Sequence, residues 1–274
     1  MKRVALFLSL LFIYGITDAQ INCIIYPENS NCQKACEYYN KGISFPQGSR
    51  QSQLYFDSAI SYCPTFAEPY REKSVPFLKR GLYAEWKRLI DKAVELQPLR
   101  YIGIRGWCLF KFLRDYKNAM ADLILLDSLS KGDMGMTGDG YFALRSLLAL
   151  CKRETGDIKG ALAEFDKQIG EGEKTNSVKL YDYLLRGVTR LKNGDYAGAM
   201  SDLEKQKAKY PLLADTYYYI GKTFQAQGNY KLANENFIKS RELFTKSGYH
   251  QSDPYTSPPD AIYLADIDEA LGAK

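Results

Sequence analysis

The sequence predicts an all-α chain, a right-handed α-solenoid of about six helix hairpins closed by a C-terminal capping helix. Three observations carry this expectation. In residues 180–211, Leu184, Val188 and Leu191 recur at spacings of four and three, the period of a helix with one buried face. Gly194-Asp195 breaks that helix, Tyr196 opens a second run with Ala199 and Leu203 four apart, and Pro211 ends it. The pattern then returns 34 residues later: Gly187 matches Gly221, Gly194-Asp195-Tyr196 matches Gly228-Asn229-Tyr230, Ala199 matches Ala233, and Leu203 matches Phe237. Finally, a column of small residues, Ser74, Cys108, Ala149, Gly187 and Gly221, runs along the chain at intervals of 34, 41, 38 and 34. The intervals above 34 coincide with two polar insertions, 131–140 and 170–177.

A fixed period of 34 with a small residue in each first helix resembles the tetratricopeptide repeat. Ala93-Val94-Glu95-Leu96-Gln97-Pro98 is similar to the end of that repeat's second helix. Trp86 departs from the family, which carries a small residue there, and its bulk is expected to widen the gap between helices. The resemblance implies hairpins that bury their apolar faces only by stacking. It also implies that the first helices line a concave groove for a partner peptide or helix.

Taken in order, residues 1–19 read as a signal peptide. Lys2-Arg3 precede an apolar run over 4–16, and Thr17-Asp18-Ala19 supplies small residues for cleavage before Gln20. The run is short for a membrane span, so no stable membrane insertion is expected. The mature protein is expected to be exported, periplasmic or secreted. Residues 20–31 form a polar N-terminal arm and 32–246 the solenoid. The first unit covers 32–64, with a longer turn at Phe45-Pro46-Gln47-Gly48, and the second covers 67–98, with Pro76 set to kink or delay its first helix. In the third unit only 11 residues separate Cys108 from Ala119, against 12 in the later units, which predicts a shortened turn. Residues 131–140 then read as a flexible surface insertion. The fourth unit carries Ala149, Ala161 and Phe165; the fifth and sixth are the two clearest copies. Residues 247–274 read as a loop followed by a capping helix starting at Ser257-Pro258-Pro259-Asp260, with Ala261, Leu264, Ile267 and Leu271 near one face. This helix either caps the stack or folds into the groove and blocks it.

All six cysteines survive cleavage into an oxidising compartment. Cys23, Cys32, Cys36 and Cys63 are disulfide candidates: Cys32 and Cys36 start a helix whose antiparallel partner ends at Cys63, and three pairings stay open. Cys108 and Cys151 fall inside first helices and read as small buried thiols. A lipoprotein would need acylation of Cys23, but Gln20-Ile21-Asn22 lack the small residues of a lipobox. The absence of any Asn-X-Ser/Thr acceptor weakly favours a bacterial envelope.

Composition excludes several functions. A net charge of +5 is spread along 274 residues, without the dense basic face that a nucleic-acid partner requires. The single histidine, His250, lies in a Gly/Ser/Pro-rich segment and reads as solvated. Residues 131–140 lack the phosphate-loop order and EF-hand spacing. No catalytic, cofactor or metal residues are expected. The expected function is protein–protein interaction, as a scaffold in the cell envelope, with a protein or peptide partner. From the small-residue register, the groove is expected to present Arg71 and Val75, Arg105 and Leu109, Ser146 and Leu150, Leu184 and Val188, and Tyr218 and Lys222. Tyr181 and Asp215 are expected at its mouth. None of these pairs has the Lys–Asn combination by which the family clamps chaperone C-termini. The alternatives are an α-solenoid enzyme and a lipid-anchored envelope assembly factor. The partner's identity and the oligomeric state do not follow from the sequence.

Overall fold

The computed structural model describes residues 20–246 and 248–272; the expected signal peptide lies outside them. Thirteen α-helices are found among the described residues, and two compact units divide the chain after Leu96. Unit 1 holds two hairpins, α1 (Asn31–Ile43) with α2 (Arg50–Tyr62) and α3 (Ala67–Lys79) with α4 (Tyr83–Leu96). Unit 2 holds four: α5 (Pro98–Cys108) with α6 (Tyr116–Leu129), α7 (Leu144–Glu154) with α8 (Ile158–Lys174), α9 (Asp182–Lys192) with α10 (Tyr196–Lys209), and α11 (Ala214–Ala226) with α12 (Tyr230–Lys246). A short helix, α13 (Leu264–Ala270), follows. The architecture is an all-α solenoid of helix hairpins.

The repeated Gly-Asp signature has a simple physical cause. Gly194 and Gly228 adopt left-handed backbone (φ 81° and 78°) that turns the chain between helices. The next residue caps the second helix: the Asp195 carboxylate accepts from Gly198 N at 2.9 Å, and Asn229 Oδ1 accepts from Leu232 N at 3.2 Å. The small residue in each first helix permits close approach. A Cβ on Gly221 would meet the Phe237 ring at 2.5 Å, and one on Gly187 would meet Leu203 at 3.1 Å.

In the third hairpin the register differs from expectation. The close-approach residue is Gly106 rather than Cys108, because a Cβ there would meet Asp122 Cβ at 3.1 Å. Arg105 pairs with Asp122 as Arg186 pairs with Asp202. Gly106 and Ala119 are 13 residues apart, so this hairpin has gained one residue rather than lost one. The extra residue is absorbed in a π-helical turn, Leu109–Leu113, continuing α5. Arg114 then takes the left-handed turn position (φ 54°) that glycine holds elsewhere.

Residues 131–140 pack back on unit 2 rather than forming a free loop. Thr137 N donates to Phe142 O at 2.8 Å, Met134 and Thr137 are buried, and Gly138 lies against the Trp107 ring. The second insertion is largely helical, since α8 runs on to Lys174. Pro76 is accommodated inside α3 without ending it, and Trp86 is 1% exposed in the core of unit 1.

The N-terminal cysteines resolve into Cys23–Cys36 and Cys32–Cys63. Both staple the arm and α2 onto α1, around a cluster of Tyr39, Phe56 and Phe66. Cys23 therefore has its sulfur committed to Cys36, which leaves no thiol for a lipid thioether. Cys108 and Cys151 are buried and lie outside the two disulfides, and burial pushes the Cys151 thiol up to about 12. No helix among the described residues is long and apolar enough to cross a membrane.

Candidate partner-binding face

In unit 2, the first helices α5, α7, α9 and α11 meet a single extended segment, residues 248–262. It is fixed where it leaves α12: Ala214 N donates to Tyr249 O at 2.9 Å, and Gln251 donates to the buried Asp215 carboxylate through its backbone N at 3.0 Å and Nε2 at 3.1 Å. Further on, the Asp253 carboxylate accepts from Lys111 Nζ at 2.6 Å, and Arg114 donates to the Ser257 carbonyl. Asp260 accepts from Arg153 at 2.7 Å and 3.2 Å and from Lys192 at 2.7 Å, while Tyr219 Oη donates to the Asp260 carbonyl at 3.0 Å. The segment thus crosses all four first helices, bonded at each.

Electrostatics explain why these contacts are ionic. Burial alone would raise the Asp260 carboxyl, but Arg153 and Lys192 outweigh it and hold the group below its ordinary range. Asp253 is also held low, against burial, by Lys111 and by the Tyr255 and Thr256 amides it accepts from. Asp215 behaves oppositely: burial raises it, and the Gln251 donors only partly offset that. Lys111 is bonded also to Asp139 of the insertion at 2.9 Å and lies over the Trp107 ring. Beside it, Trp107, Phe110, Phe142 and Tyr181 form an aromatic cleft closed by Pro258 and Pro259. The free space left in that cleft is about 30 Å³, the room of a single water.

The residues named from the sequence are placed as follows. Leu184, Val188 and Leu150 are 0% exposed and Leu109 3%, so they lie between hairpins and present no surface. Arg105 faces α6, donating to Asp122 at 2.8 Å and 2.6 Å. Ser146 is buried and donates to Asp182 at 2.7 Å. Tyr218 packs in the cluster of Ala214, Leu243, Ile262 and Ile267 beneath α13, and Lys222 is half-buried. In unit 1, Val75 is half-buried and Arg71 is half-buried and paired with Glu72. Tyr181 lines the cleft, and Asp215 anchors the segment.

Lys111, Arg114, Arg153, Lys192 and Tyr219 are the residues the sequence reading missed. The two-residue register error around Cys108 hid the first two. Arg114 itself was a visible signal, since it stands where the other turns have glycine. The last helix also differs from expectation. It starts at Leu264, not near Ser257, because Asp260 turns left-handed (φ 55°) to meet its cations. α13 caps the stack, and the segment before it covers the face. His250 is stacked on Phe244 at 4.0 Å instead of lying in solvent.

No protein-family model matches the sequence, and no curated protein does. Solved structures do. PilW, a widely conserved type IV pilus biogenesis factor, superposes with TM-score 0.60 at 15% identity over 78% of this chain and 94% of its own. YrrB, described as a tetratricopeptide-repeat protein with an unusual peptide-binding site, gives 0.52 at 19% identity over 71% and 94%. A tetratricopeptide-repeat protein from Parabacteroides merdae gives 0.52 at 17% identity over 91% and 87%. The period of 34, the stacked hairpins and these likenesses agree: the chain has the tetratricopeptide-repeat fold.

Proposed function

We propose that this protein is an exported scaffold that binds a protein or peptide partner on the first-helix face of unit 2. One observation carries the reading: that face holds an extended peptide segment through side chains of all four first helices. Surfaces that grip a peptide by paired cations and an aromatic cleft are suited to recognition. The peptide-binding site named for YrrB and the pilus assembly role named for PilW are in keeping with such a use of this fold. Tyr181, Tyr218 and Lys222 stand as further proposed contacts on this face, and Arg71 as a proposed contact on the first-helix face of unit 1. Export rests on the leader-like residues 1–19 and on two disulfides, which persist in oxidising compartments.

The enzyme alternative is less well supported. Asp253 and Asp260 are held ionised by cations, the wrong state for a general acid. The test is cross-linking capture from the native envelope with wild type and with Arg114→Glu/Lys192→Glu. The double variant is expected to lose partners that wild type retains; identical partner sets would overturn the assignment of this face. Mass spectrometry of the mature protein is expected to find an N-terminus at Gln20 or its pyroglutamate, and a lipid on Cys23 would refute both the leader reading and the Cys23–Cys36 pairing.

A further inference from the structure

We propose that residues 252–261 are a displaceable strap that mimics the partner, and that the partner is a proline-bearing acidic segment which replaces it on Lys111, Arg114, Arg153 and Lys192. This rests on the reading of the chain as a partner-binding scaffold and names the chemistry of what that scaffold takes.

The strap is held by charge rather than by apolar burial. Gln251 and Ile262 are buried at its two ends, and between them no apolar residue is buried. Each end has its own anchor: Gln251 on Asp215, and Ile262 in the cluster with Ala214, Leu243 and Ile267. The middle can therefore lift while α13 stays docked, a local opening that uncovers the aromatic cleft but frees no fully buried apolar side chain of the strap. Its conformation is set by its own residues. Asp253 accepts from the amides of Tyr255 and Thr256, and Pro259-Asp260 form a turn closed by Ala261 N donating to the Pro258 carbonyl at 3.3 Å.

While the strap is seated it holds the cations a partner would bond, and Pro258 and Pro259 line the cleft beside it. Lifting the strap also defines what must replace it. Lys111 keeps Asp139 and Arg153 keeps Glu154, but Arg114 and Lys192 lose the strap groups they bond. Four cations then face two acids. The Arg153 side chain, 6% exposed beneath the strap, keeps Glu154 but loses both bonds to Asp260, and a new carboxylate there restores them. An incoming segment that supplies two carboxylates, separated as Asp253 and Asp260 are, restores both pairs. A neutral or basic segment does not.

The test uses the full mature chain and, as probe, a fluorescent peptide of residues 251–261, QSDPYTSPPDA. Anisotropy titrations compare wild type with Asp253→Asn/Asp260→Asn, whose own strap is weakened. The variant is expected to bind the peptide with a Kd at least tenfold lower than wild type. The same peptide with both aspartates changed to asparagine is expected to bind the variant at least tenfold more weakly. Circular dichroism confirms folding; if the double variant does not fold, a chain with residues 252–260 replaced by Gly and Ser of equal length carries the same comparison. Equal binding by closed and opened chains, or no binding by either, overturns the proposal. Capture from the envelope separates the two readings. Partners retained equally by both chains, with no gain in peptide binding, would sink the strap and leave the scaffold standing. Peptide binding without any captured partner would do the reverse.

Discussion

Asp260 shows how much one side chain settles here. Its left-handed backbone, tolerable for aspartate, and its two cation partners bring residues 248–262 across the face instead of into an earlier start of α13. The pH dependence follows from the direction of its shift. Asp253 and Asp260 are held below their ordinary range, so their contribution is complete above that range and is lost as pH falls through it. Asp215 is raised by burial, but Gln251 stays on it when the strap lifts, so it does not set the pH dependence of the strap. Limited proteolysis across pH is expected to show the strap protected at neutral pH and cut faster well below pH 4. Cutting that is equally slow there would contradict the assignment. A second residue-scale case is Asp202, 1% exposed and shared by Arg186 and Arg190. Asp202→Ala removes both bonds that the buried Arg186 makes to it and leaves that guanidinium only Asp166, and is expected to cost about 3 kcal/mol in urea unfolding.

At the scale of the element, hairpin packing depends on the small residue in each first helix. Gly221→Ala puts a methyl into the Phe237 ring and towards the Ala233 carbonyl. Overpacking of this kind is expected to destabilise by about 1–3 kcal/mol, read from the denaturation midpoint, with Gly170→Ala, open on α8, as the control that gives the helix-propensity gain alone, about 0.5–1 kcal/mol. The π-helical turn after α5 belongs to the same scale. One inserted residue alters the end of the helix, and with it the aim of Lys111 and Arg114 at the strap. Deleting one residue within 109–113 is expected to restore a regular hairpin and to weaken the hold on Asp253, seen as faster hydrogen exchange at Tyr255 and Thr256. Unchanged exchange would show that the π turn does not position these cations.

At the scale of the whole molecule, the two units are stabilised differently. Unit 1 carries both disulfides around a small aromatic cluster, and unit 2 carries buried ion pairs and the strap. A disulfide contributes about 2–4 kcal/mol. Reduction is therefore expected to lower the melting temperature of unit 1, followed by amide exchange in α1 and α2. Exchange in α9 and α10 is expected to stay unchanged. A uniform loss of protection in both units would instead mean that they unfold as one cooperative body.

The sequence by itself determined the hairpins, their period and the turn chemistry, because each depends on residues a few positions apart: the Gly-Asp turns, the small residue facing its partner helix, the 3.6-residue apolar rhythm. It also confined the disulfides to four cysteines. What only the tertiary structure decided involves residues far apart in the chain. Which cysteines pair depends on how the arm lies along α1. Which first-helix residues reach the face depends on helix rotation, so Leu184 and Val188 are core while Arg153 and Lys192, in the last turns of α7 and α9, meet Asp260. The strap was not legible for the same reason. Asp253 and Lys111 are 142 residues apart, and nothing local in either announces a carboxylate and an ammonium that exist to neutralise each other.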